Sequence, residues 1–582
     1  MKKNLLKFAF CGLLLAVGAM MAKAQTNLSP LKVDREYVGI NYLQDPDLAA
    51  SIGLKKTYTG KGVLIAVFDL DMQPSHVAFR DLNTGKSRVI CVLDNSTIIS
   101  DPDSIMQYAK TGSTHGNHVA SIAAGSYDGG LGLRGVATDA LLAFSVYNGG
   151  LYSLARTDGL DYIDKLATSL NMPCVVNISA GSAGALMMDG NTYWTKGINK
   201  FTANGTAPGR IVIKSAGNEG RSKTDSCYRY TFSSDVDTVH VFQILSQEPS
   251  NYFDLNALFT KPGKIIVEAY DTISHQVVDN VILCENEETL EFEPVSNAVA
   301  TDMFVSSQES SGMYYVTVDG SYDIEEPNVV VRYTLTSEAG SNLRTNYSSL
   351  FVECSGEGIT PNSVLTINGL DPCACITSVI SVGNMCARNV VKDSITYHPG
   401  MMFPSSGWGT DDLGRKHPDV CAPGAQVTAA MNDVYASTPN AQEWYYTWKI
   451  ENPLDEDPAQ DYWWGCLSGT SQAAPIVTGV VALLLEENPK LTANELRELL
   501  HSTNDWTEDC ENNPYGPEQA GWGILNAKDL MLAMINGTPT GVTDVEAVRS
   551  ASNVAYDLTG RVVDESTYKG MVIKNGRKLI LK

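Results

Sequence analysis

Four short segments of this sequence carry residues that could together hydrolyse an amide bond. They are 66–69, which ends in Asp69; 115–120, which begins with His115; 215–220, which contains Asn218; and 468–475, which contains Ser471. A serine hydroxyl becomes an effective nucleophile when a neighbouring imidazole accepts its proton, and a buried carboxylate holds that imidazole in the required tautomer. We therefore predict Asp69, His115 and Ser471 as the catalytic residues.

The reaction also needs hydrogen-bond donors for the oxygen that becomes negatively charged. Ser471 is expected to open an apolar helix, where its backbone N–H has no partner. Asn218 offers a side-chain amide as a second donor, so we predict an oxyanion hole formed by these two groups. Pro475 is expected in the first turn of the same helix, where a missing N–H costs little.

Apolar runs and helical stretches alternate around these segments. The predicted strands are 63–68, 88–93, 141–146, 174–178, 211–215 and 376–382, and the predicted helices are 115–124, 153–169, 192–203, one that begins at Ser471, and 492–501. Such alternation predicts an α/β domain with a mainly parallel sheet. The active groups of such sheets gather at the carboxyl ends of the strands.

The pattern changes between residues 228 and 350, where period-two segments are separated by turn residues. This pattern predicts an antiparallel β-sandwich. Two further strand-like runs, 554–563 and 571–581, follow a turn-rich linker. The predicted organisation is a signal peptide at 1–24, an N-terminal segment at 25–60, a catalytic domain at 61–222 and 365–535, an inserted β-sandwich at 223–364 and a C-terminal tail at 536–582.

The four segments resemble, in type and order, those of the subtilisin-like serine peptidases, or subtilases. The chain order Asp, His, Ser is the subtilisin order, and the resemblance covers about 61–222 and 365–530. It implies an α/β, subtilisin-like three-layer domain that cleaves a protein or peptide substrate through an acyl-enzyme. It also implies that Ser179, Ala180 and Gly181 bind substrate, because 176–181 resembles the substrate-binding strand of the family.

Other features of the family apply less directly to this sequence. Some subtilases carry a jelly-roll-like β-domain between the asparagine and the nucleophile, which would account for the insertion, and the C-terminal unit resembles the sorting tails of exported Bacteroidetes-type proteins. Many subtilases bind calcium, so calcium is an expectation from the resemblance, but no cofactor is assigned and no metal ligand is identified. The segment at 25–60 implies a short activation peptide or none.

The sequence departs from the family pattern beside the catalytic residues. Asp69 is followed by Leu70 and Asp71, where the family usually has Thr or Ser and then Gly. We expect Asp71 to be a solvated turn residue, and the alternative is that it perturbs His115 or contacts substrate. His118 is expected to be structural rather than a metal ligand. The aromatic clusters at 444–448 and 462–464 are expected to pack a surface loop, with a wall of the substrate cleft as the alternative.

Composition limits the location and the partners of the protein. A net charge of −24 argues against nucleic acid as a partner. Residues 1–24 combine a basic start with an apolar run too short for a comfortable membrane span, which predicts export and a soluble mature chain with no transmembrane segment. We expect a secreted or cell-surface protein, with the periplasm as the alternative. The oligomeric state and the pairing of the cysteines are not predicted, and Cys373 and Cys375 lack a second pair of zinc ligands.

Two other functions compete with that of an active endopeptidase. A catalytically silent subtilase that serves as a binding scaffold is the main alternative, prompted by Leu70 and Asp71. An esterase or lipase is disfavoured, because no Gly-x-Ser-x-Gly motif surrounds a candidate serine.

Overall fold

A computed structural model describes residues 31–581 of the chain with internal gaps. The gaps are 96, 111, 147–156, 182–194, 221–225, 244–251, 285–301, 311–312, 322–328, 346–349, 356–363, 393, 412, 440, 442–445, 451–453, 455–461, 538–554, 558–561, 564–569 and 575–576. The predicted signal peptide, most of the predicted linker at 537–541 and part of the 444–448 cluster lie outside the described residues.

A sheet of eight strands forms the centre of the larger unit. Its spatial order is Val420–Pro423, Val379–Met385, Arg210–Ser215, Cys174–Ile178, Leu64–Asp69, Leu141–Val146, Val89–Asp94 and Thr97–Ile99. All neighbours pair in parallel except the last two strands, which form an antiparallel edge. The prediction of an α/β domain with a mainly parallel sheet is confirmed.

The alternation of side chains along each strand supplies two separate hydrophobic cores, one on each face of this sheet. Ile65 and Val67 of the Leu64–Asp69 strand belong to the larger core. Leu64, Ala66 and Phe68 belong to the other core. A sheet that buries both faces must be covered by helices on both sides, which gives three layers.

Helices cover both faces of the sheet and differ in how much of their surface is buried. The Ser471 helix (Thr470–Glu487) is buried on nearly every side and packs in the larger core with the His115 helix (His115–Ala124). Thr157–Ser169 and Thr195–Thr202 supply buried residues to the opposite core. The other helices are Leu31–Tyr37, Asn41–Gln44, Pro46–Ser51, Pro102–Gln107, Asp433–Ala436, Ala493–Thr503, Glu508–Glu511 and Ala527–Asn536, with 3₁₀ turns at Val77–Phe79, Pro372–Cys375 and Pro517–Ala520.

Two antiparallel sheets follow between Ser226 and Asn368. One has five strands in the order Gln276–Cys284, Gly263–Asp271, Val329–Ser337, Thr238–Gln243 and Leu350–Ser355, and the other has six in the order Asp302–Ser310, Met313–Ser321, Tyr252–Phe259, Asn342–Thr345, Ser226–Thr231 and Val364–Asn368. Both sheets contribute to one hydrophobic core, in which Tyr333 of the first sheet and Phe259 of the second are fully buried. The boundaries 223–364 stay a prediction.

The N-terminal segment is part of the larger core rather than a separate arm. Leu31, Ile40 and Leu43 have no exposed surface, and the Gln44 side chain donates a hydrogen bond of 2.6 Å to the Val136 carbonyl. Removal of residues 31–58 would therefore expose core side chains of the unit that contains the central sheet.

Small sheets complete the described structure. A three-stranded sheet pairs Val427–Ala430, Tyr462–Leu467 and Tyr446–Ile450, and short hairpins join Val390–Lys392 to Ile395–Tyr397 and Gly409–Thr410 to Lys416–His417. Near the C-terminus, Val562–Val563, Ala555–Asp557, Gly570–Lys574 and Arg577–Leu581 form a four-stranded sheet. The predicted strand 571–581 is therefore two strands of a hairpin. Among the described helices, none has the length and hydropathy needed to cross a bilayer.

Candidate active site

The structure brings Asp69 and His115 into direct contact. Asp69 is the last residue of a central strand and is 3% exposed, and His115 is the first residue of its helix. The imidazole Nδ1 lies 2.9 Å from both carboxylate oxygens. Because an ionised carboxylate only accepts hydrogen bonds, Nδ1 must carry a proton. The Nε2 atom of a neutral ring is then left with its lone pair.

The electrostatic surroundings of His115 favour a protonated ring. Burial disfavours the charged form, but the Asp69 charge, the hydrogen bond that the ring donates to Asp69 and the Asp71 charge outweigh it, so the pKa of His115 is raised above its ordinary value of 6.5. The imidazole side chain nevertheless keeps 30% of its surface exposed. It can therefore reach both a substrate and a proton acceptor.

Ser471 lies at the start of its helix but does not donate to the imidazole. Its hydroxyl donates instead to the Ser179 carbonyl at 3.0 Å, and the Ser179 hydroxyl donates to the Ser471 carbonyl at 2.9 Å. Within the described residues, the hydrogen bonds of the His115 ring go to Asp69. In structures without substrate, catalytic hydrogen bonds are often long or not yet formed.

The position of Pro475 explains why the Ser179 hydroxyl donates to the Ser471 carbonyl. It also differs from our expectation that Pro475 lies in the first turn. The helix begins at Thr470, so Pro475 is its sixth residue and lies beyond the first turn. A proline there removes the N–H that would pair with the carbonyl four residues earlier. That carbonyl belongs to Ser471, and the hydroxyl of Ser179 takes the place of the missing donor.

The Asn218 side chain is oriented by Thr470. Its Oδ1 accepts hydrogen bonds from the Thr470 backbone N–H at 2.8 Å and from the Thr470 hydroxyl at 3.0 Å. Because a backbone N–H can only donate, the atom that faces it must be the amide oxygen. The amide NH₂ group therefore points away from Thr470, and Asn218 lines the same cavity as Ser471.

A cavity of about 220 Å³ lies between the candidate residues His115, Asn218 and Ser471. It is lined by Gly112, Ser113, Thr114, His115, Asn218, Tyr435, Leu467, Ser468, Ser471 and Gln472. Sequence reasoning missed Tyr435, which lies on a short helix whose position depends on distant contacts. The Asn432 backbone N–H donates to the Thr114 hydroxyl at 2.9 Å. The Asp433 N–H donates to Gln73 at 2.8 Å.

Asp71 is not the solvated turn residue that we expected. Its side chain has no exposed surface, and its Oδ1 accepts a hydrogen bond of 2.6 Å from the Gly116 backbone N–H. The expectation was wrong because Asp71 packs against Gly116 in the first turn of the His115 helix, which covers its carboxyl group. Asp71 therefore belongs to the surroundings of the active site.

His118 has the geometry of a structural residue. Its Nε2 lies 3.1 Å from the carbonyl oxygens of Val427 and Gly465, so it donates to both. Burial lowers the pKa of His118 to about 3, which keeps the ring neutral. In the 462–464 cluster, Tyr462 and Trp464 are fully buried in the larger core, so packing rather than a wall of the cleft explains these two side chains.

The predicted substrate-binding residues lie just beyond the Cys174–Ile178 strand. Ser179 is buried against Ser471, Ala180 is half-buried and Gly181 is exposed. A Cβ atom on Gly181 would lie 1.7 Å from a carboxylate oxygen of Asp371. Asp371 forms a buried ion pair of 3.3 Å with Lys214, and both side chains are 2% exposed. Gly181 therefore has no room for a side chain.

One group of potential metal ligands converges among the described residues. Ligand atoms of Cys375, Asp411 and His417 lie within 4.8 Å of one another. Asp411 is already occupied, because Arg415 donates to its Oδ2 at 2.8 Å and His417 lies 3.0 Å from the same atom. A thiol and an imidazole also do not suit calcium, which prefers oxygen ligands. This group does not fit the calcium that the family implies.

The large, mainly parallel sheet with helices on both faces is the fold class of the subtilisin-like serine proteases. A profile of the subtilase family matches residues 60–523, which is most of the chain. The chain belongs to the subtilase family.

Individual relatives match over shorter stretches. The chain is 33% identical over 151 residues to the serine protease AprX of Bacillus subtilis (strain 168), and the match covers 26% of this chain and 29% of AprX. It is 37% identical over 70 residues to the endoprotease bli-4 of Caenorhabditis elegans, covering 12% and 7%. The chain thus spans less than a third of each of these relatives.

A solved structure supports the fold over a longer range. The CspB protease of Clostridium perfringens aligns with a TM-score of 0.61 and 19% identity, over 87% of this chain and 98% of that one. At this identity the similarity concerns the fold alone.

Proposed function

We propose that this chain is an exported serine endopeptidase that hydrolyses peptide bonds of a protein or peptide substrate through an acyl-enzyme. One observation carries the proposal: Asp69 binds Nδ1 of His115 through both carboxylate oxygens at 2.9 Å, and the cavity beside this imidazole is lined by Ser471 and Asn218. Serine peptidases need this combination of a fixed imidazole, a nearby hydroxyl and an amide donor.

In the proposed mechanism the unprotonated Nε2 of His115 accepts the proton of the Ser471 hydroxyl. The Ser471 oxygen attacks the scissile carbonyl carbon, and Asp69 stabilises the imidazolium that forms. His115 then donates its proton to the leaving amine, which departs as the acyl-enzyme forms. Water attacks the acyl-enzyme by the same route, with His115 as the base.

Ser471 must change its hydrogen bond before it can react. Its hydroxyl donates to the Ser179 carbonyl, and rotation about χ1 to another staggered rotamer would redirect it into the cavity that His115 lines. An extended substrate that pairs with the backbone at 179–181 would compete for the Ser179 carbonyl. Substrate binding and release of the hydroxyl are thereby coupled.

The oxyanion would accept hydrogen bonds from two groups. Ser471 is the second residue of its helix, so its N–H has no acceptor within the helix. The Asn218 NH₂ group is the second donor, held in place because Thr470 occupies the amide oxygen. A donor that is fixed before the reaction needs no reorganisation in the transition state.

The remaining parts of the chain complete the proposal. Residues 1–24 direct export, the two antiparallel sheets form a β-domain inserted into the catalytic domain, and the C-terminal strands belong to a sorting tail. The destination is the cell surface or the medium, with the periplasm as the alternative.

A serine-directed fluorophosphonate tests the proposal. The purified chain should react covalently with the probe, and Ser471→Ala should abolish labelling while Ser468→Ala, a change in the same cavity, should retain it. A catalytically silent scaffold is the second candidate, because the Ser471 hydroxyl donates to a carbonyl rather than to the imidazole. Absence of labelling in the folded wild type would contradict the peptidase and support the scaffold.

A further inference from the structure

The chain that follows the Leu64–Asp69 strand packs against the first turn of the His115 helix. Asp71, two residues after Asp69, has no exposed surface. Burial of a carboxyl group is costly unless hydrogen bonds compensate. The burial of the Asp71 carboxyl group beside Asp69 and His115 therefore requires contacts that compensate its cost.

The first turn of the His115 helix supplies the compensating hydrogen bond. The first N–H groups of a helix have no partner within it and are usually satisfied by the N-cap side chain. Thr114 is the N-cap residue but makes no capping hydrogen bond, since its hydroxyl accepts from the Asn432 N–H. Asp71 accepts from the Gly116 N–H at 2.6 Å and so caps the helix from another segment.

The two segments pack so closely that residue 116 has no room for a side chain. A Cβ atom on Gly116 would lie 2.3 Å from the Asp71 carbonyl oxygen and 3.0 Å from the Asp69 Cβ. The backbone of the Asp69–Asp71 segment therefore touches the turn that presents the imidazole. A movement of Asp71 would be transmitted to His115, because its neighbour Gly116 is held at both contacts.

The second carboxylate oxygen of Asp71 has a different environment. Asp71 Oδ2 is buried and, among the described residues, has no hydrogen-bond partner. Burial and the neighbouring Asp69 charge raise the pKa of Asp71 to about 7, against the opposing effects of the Gly116 and Asn117 N–H groups and of His115. Asp71 can thus change its charge in the pH range in which an imidazole does.

Other charged groups near Asp71 are fixed in pairs. Its charge also raises the pKa of Tyr108, after burial and a hydrogen bond to Asp94, and Lys110 pairs with Asp94 at 2.9 Å. On the helix, His118 is kept neutral by burial. The neighbouring charges that shift the pKa of Asp71 are those of Asp69 and His115.

We propose that Asp71 is a positioning residue for His115: it fixes the first turn of the helix that presents the imidazole, and its charge adjusts how strongly that imidazole holds a proton. This inference rests on the proposed function for its effect on turnover, but not for its effect on the imidazole. An ionised Asp71 favours the imidazolium, so the enzyme needs a higher pH to have its base free.

The test compares Asp71→Asn and Asp71→Ala with wild type in the full chain, with Asp103→Asn as a control that removes an equal charge from an exposed site. Histidine ¹³C NMR titration gives the pKa of His115, identified by its loss in His115→Asn. Steady-state kinetics give kcat, KM and the acid limb of kcat/KM. The NMR titration needs no catalytic activity, so it still decides if the chain proves not to be a peptidase.

Asp71→Asn should lower the pKa of His115 and move the acid limb downward by about one pH unit, the lower end of the effect of a charge a few ångströms away. Because an amide oxygen still accepts from Gly116, kcat on the alkaline plateau should stay within about threefold of wild type. Asp71→Ala loses the cap, and kcat should fall by roughly tenfold with KM little changed, because a misplaced base affects turnover.

An unchanged pKa of His115 in Asp71→Asn would overturn the proposal. A kcat for Asp71→Ala equal to that of wild type would overturn it as well. If Asp71→Ala does not fold, as judged by circular dichroism, the Asp71→Asn titration alone decides.

Discussion

Replacement of Ser179 by alanine removes the donor that satisfies the Ser471 carbonyl. The Ser179 hydroxyl donates to this carbonyl at 2.9 Å and accepts from the Asn177 side chain at 2.9 Å, and Ser179 is 2% exposed. A buried polar group left without its partner costs about 1–3 kcal/mol. We expect Ser179→Ala to lower the free energy of unfolding by that amount.

The predicted cost of Ser179→Ala depends on the backbone N–H that Pro475 lacks. With Pro475→Ala, residue 475 regains an N–H that can donate to the Ser471 carbonyl within the helix. The cost of Ser179→Ala should then fall by about 1 kcal/mol, the net value of one hydrogen bond. The part of the cost that comes from Asn177 is the same in both backgrounds and cancels in the double-mutant cycle.

Urea unfolding, followed by tryptophan fluorescence and extrapolated linearly, measures the four free energies. All variants carry Ser471→Ala, which prevents self-digestion and keeps the backbone carbonyl. Ser378→Ala is the matched control, because its buried hydroxyl donates to Asn199 at 2.6 Å and shares no partner with Pro475. An equal cost of Ser179→Ala with and without Pro475 would refute the reasoning.

Two further predictions concern the oxyanion hole and acid stability. Asn218→Ala should lower kcat by about 10²–10³ with a smaller change in KM, because the lost donor acts on the transition state; a kcat within threefold of wild type in peptide hydrolysis would speak against Asn218. His118 is held neutral in the native state by a pKa of about 3, against 6.5 in the unfolded chain. The unfolded state therefore binds more protons between these values, and the free energy of unfolding should fall as the pH drops through this window. His118→Gln should make the fall less steep in urea unfolding at pH 7, 5.5 and 4, and a slope equal to that of wild type would contradict this account.

Much of the fold could be predicted because local periodicity determines it. The strands Leu141–Val146 and Cys174–Ile178 and the helix His115–Ala124 have the predicted bounds. The strand predicted at 376–382 begins instead at Val379, after a 3₁₀ turn at Pro372–Cys375. Asp371 caps this turn, and a capped turn that begins with proline has no signature in hydrophobic periodicity.

The candidate site was predictable in part. The sequence identified residues whose chemistry is fixed by side-chain type, and the structure brings Asp69 and His115 together. The exchange of hydrogen bonds between Ser179 and Ser471 was not predictable, because these residues are 292 positions apart. Tyr435 was missed for a related reason, since its helix is held by Thr114 and Gln73 from distant segments.

The sequence by itself determined the family, the order of the reactive residues and the alternation of strands and helices, because each depends on residue types within a short stretch of chain. Only the tertiary structure decided that Asp71 is buried, that Ser179 replaces the donor missing at Pro475 and that Tyr435 borders the cavity. These outcomes depend on which distant segments pack together. A carboxyl group beside a turn has the same local sequence whether the next helix covers it or leaves it in water.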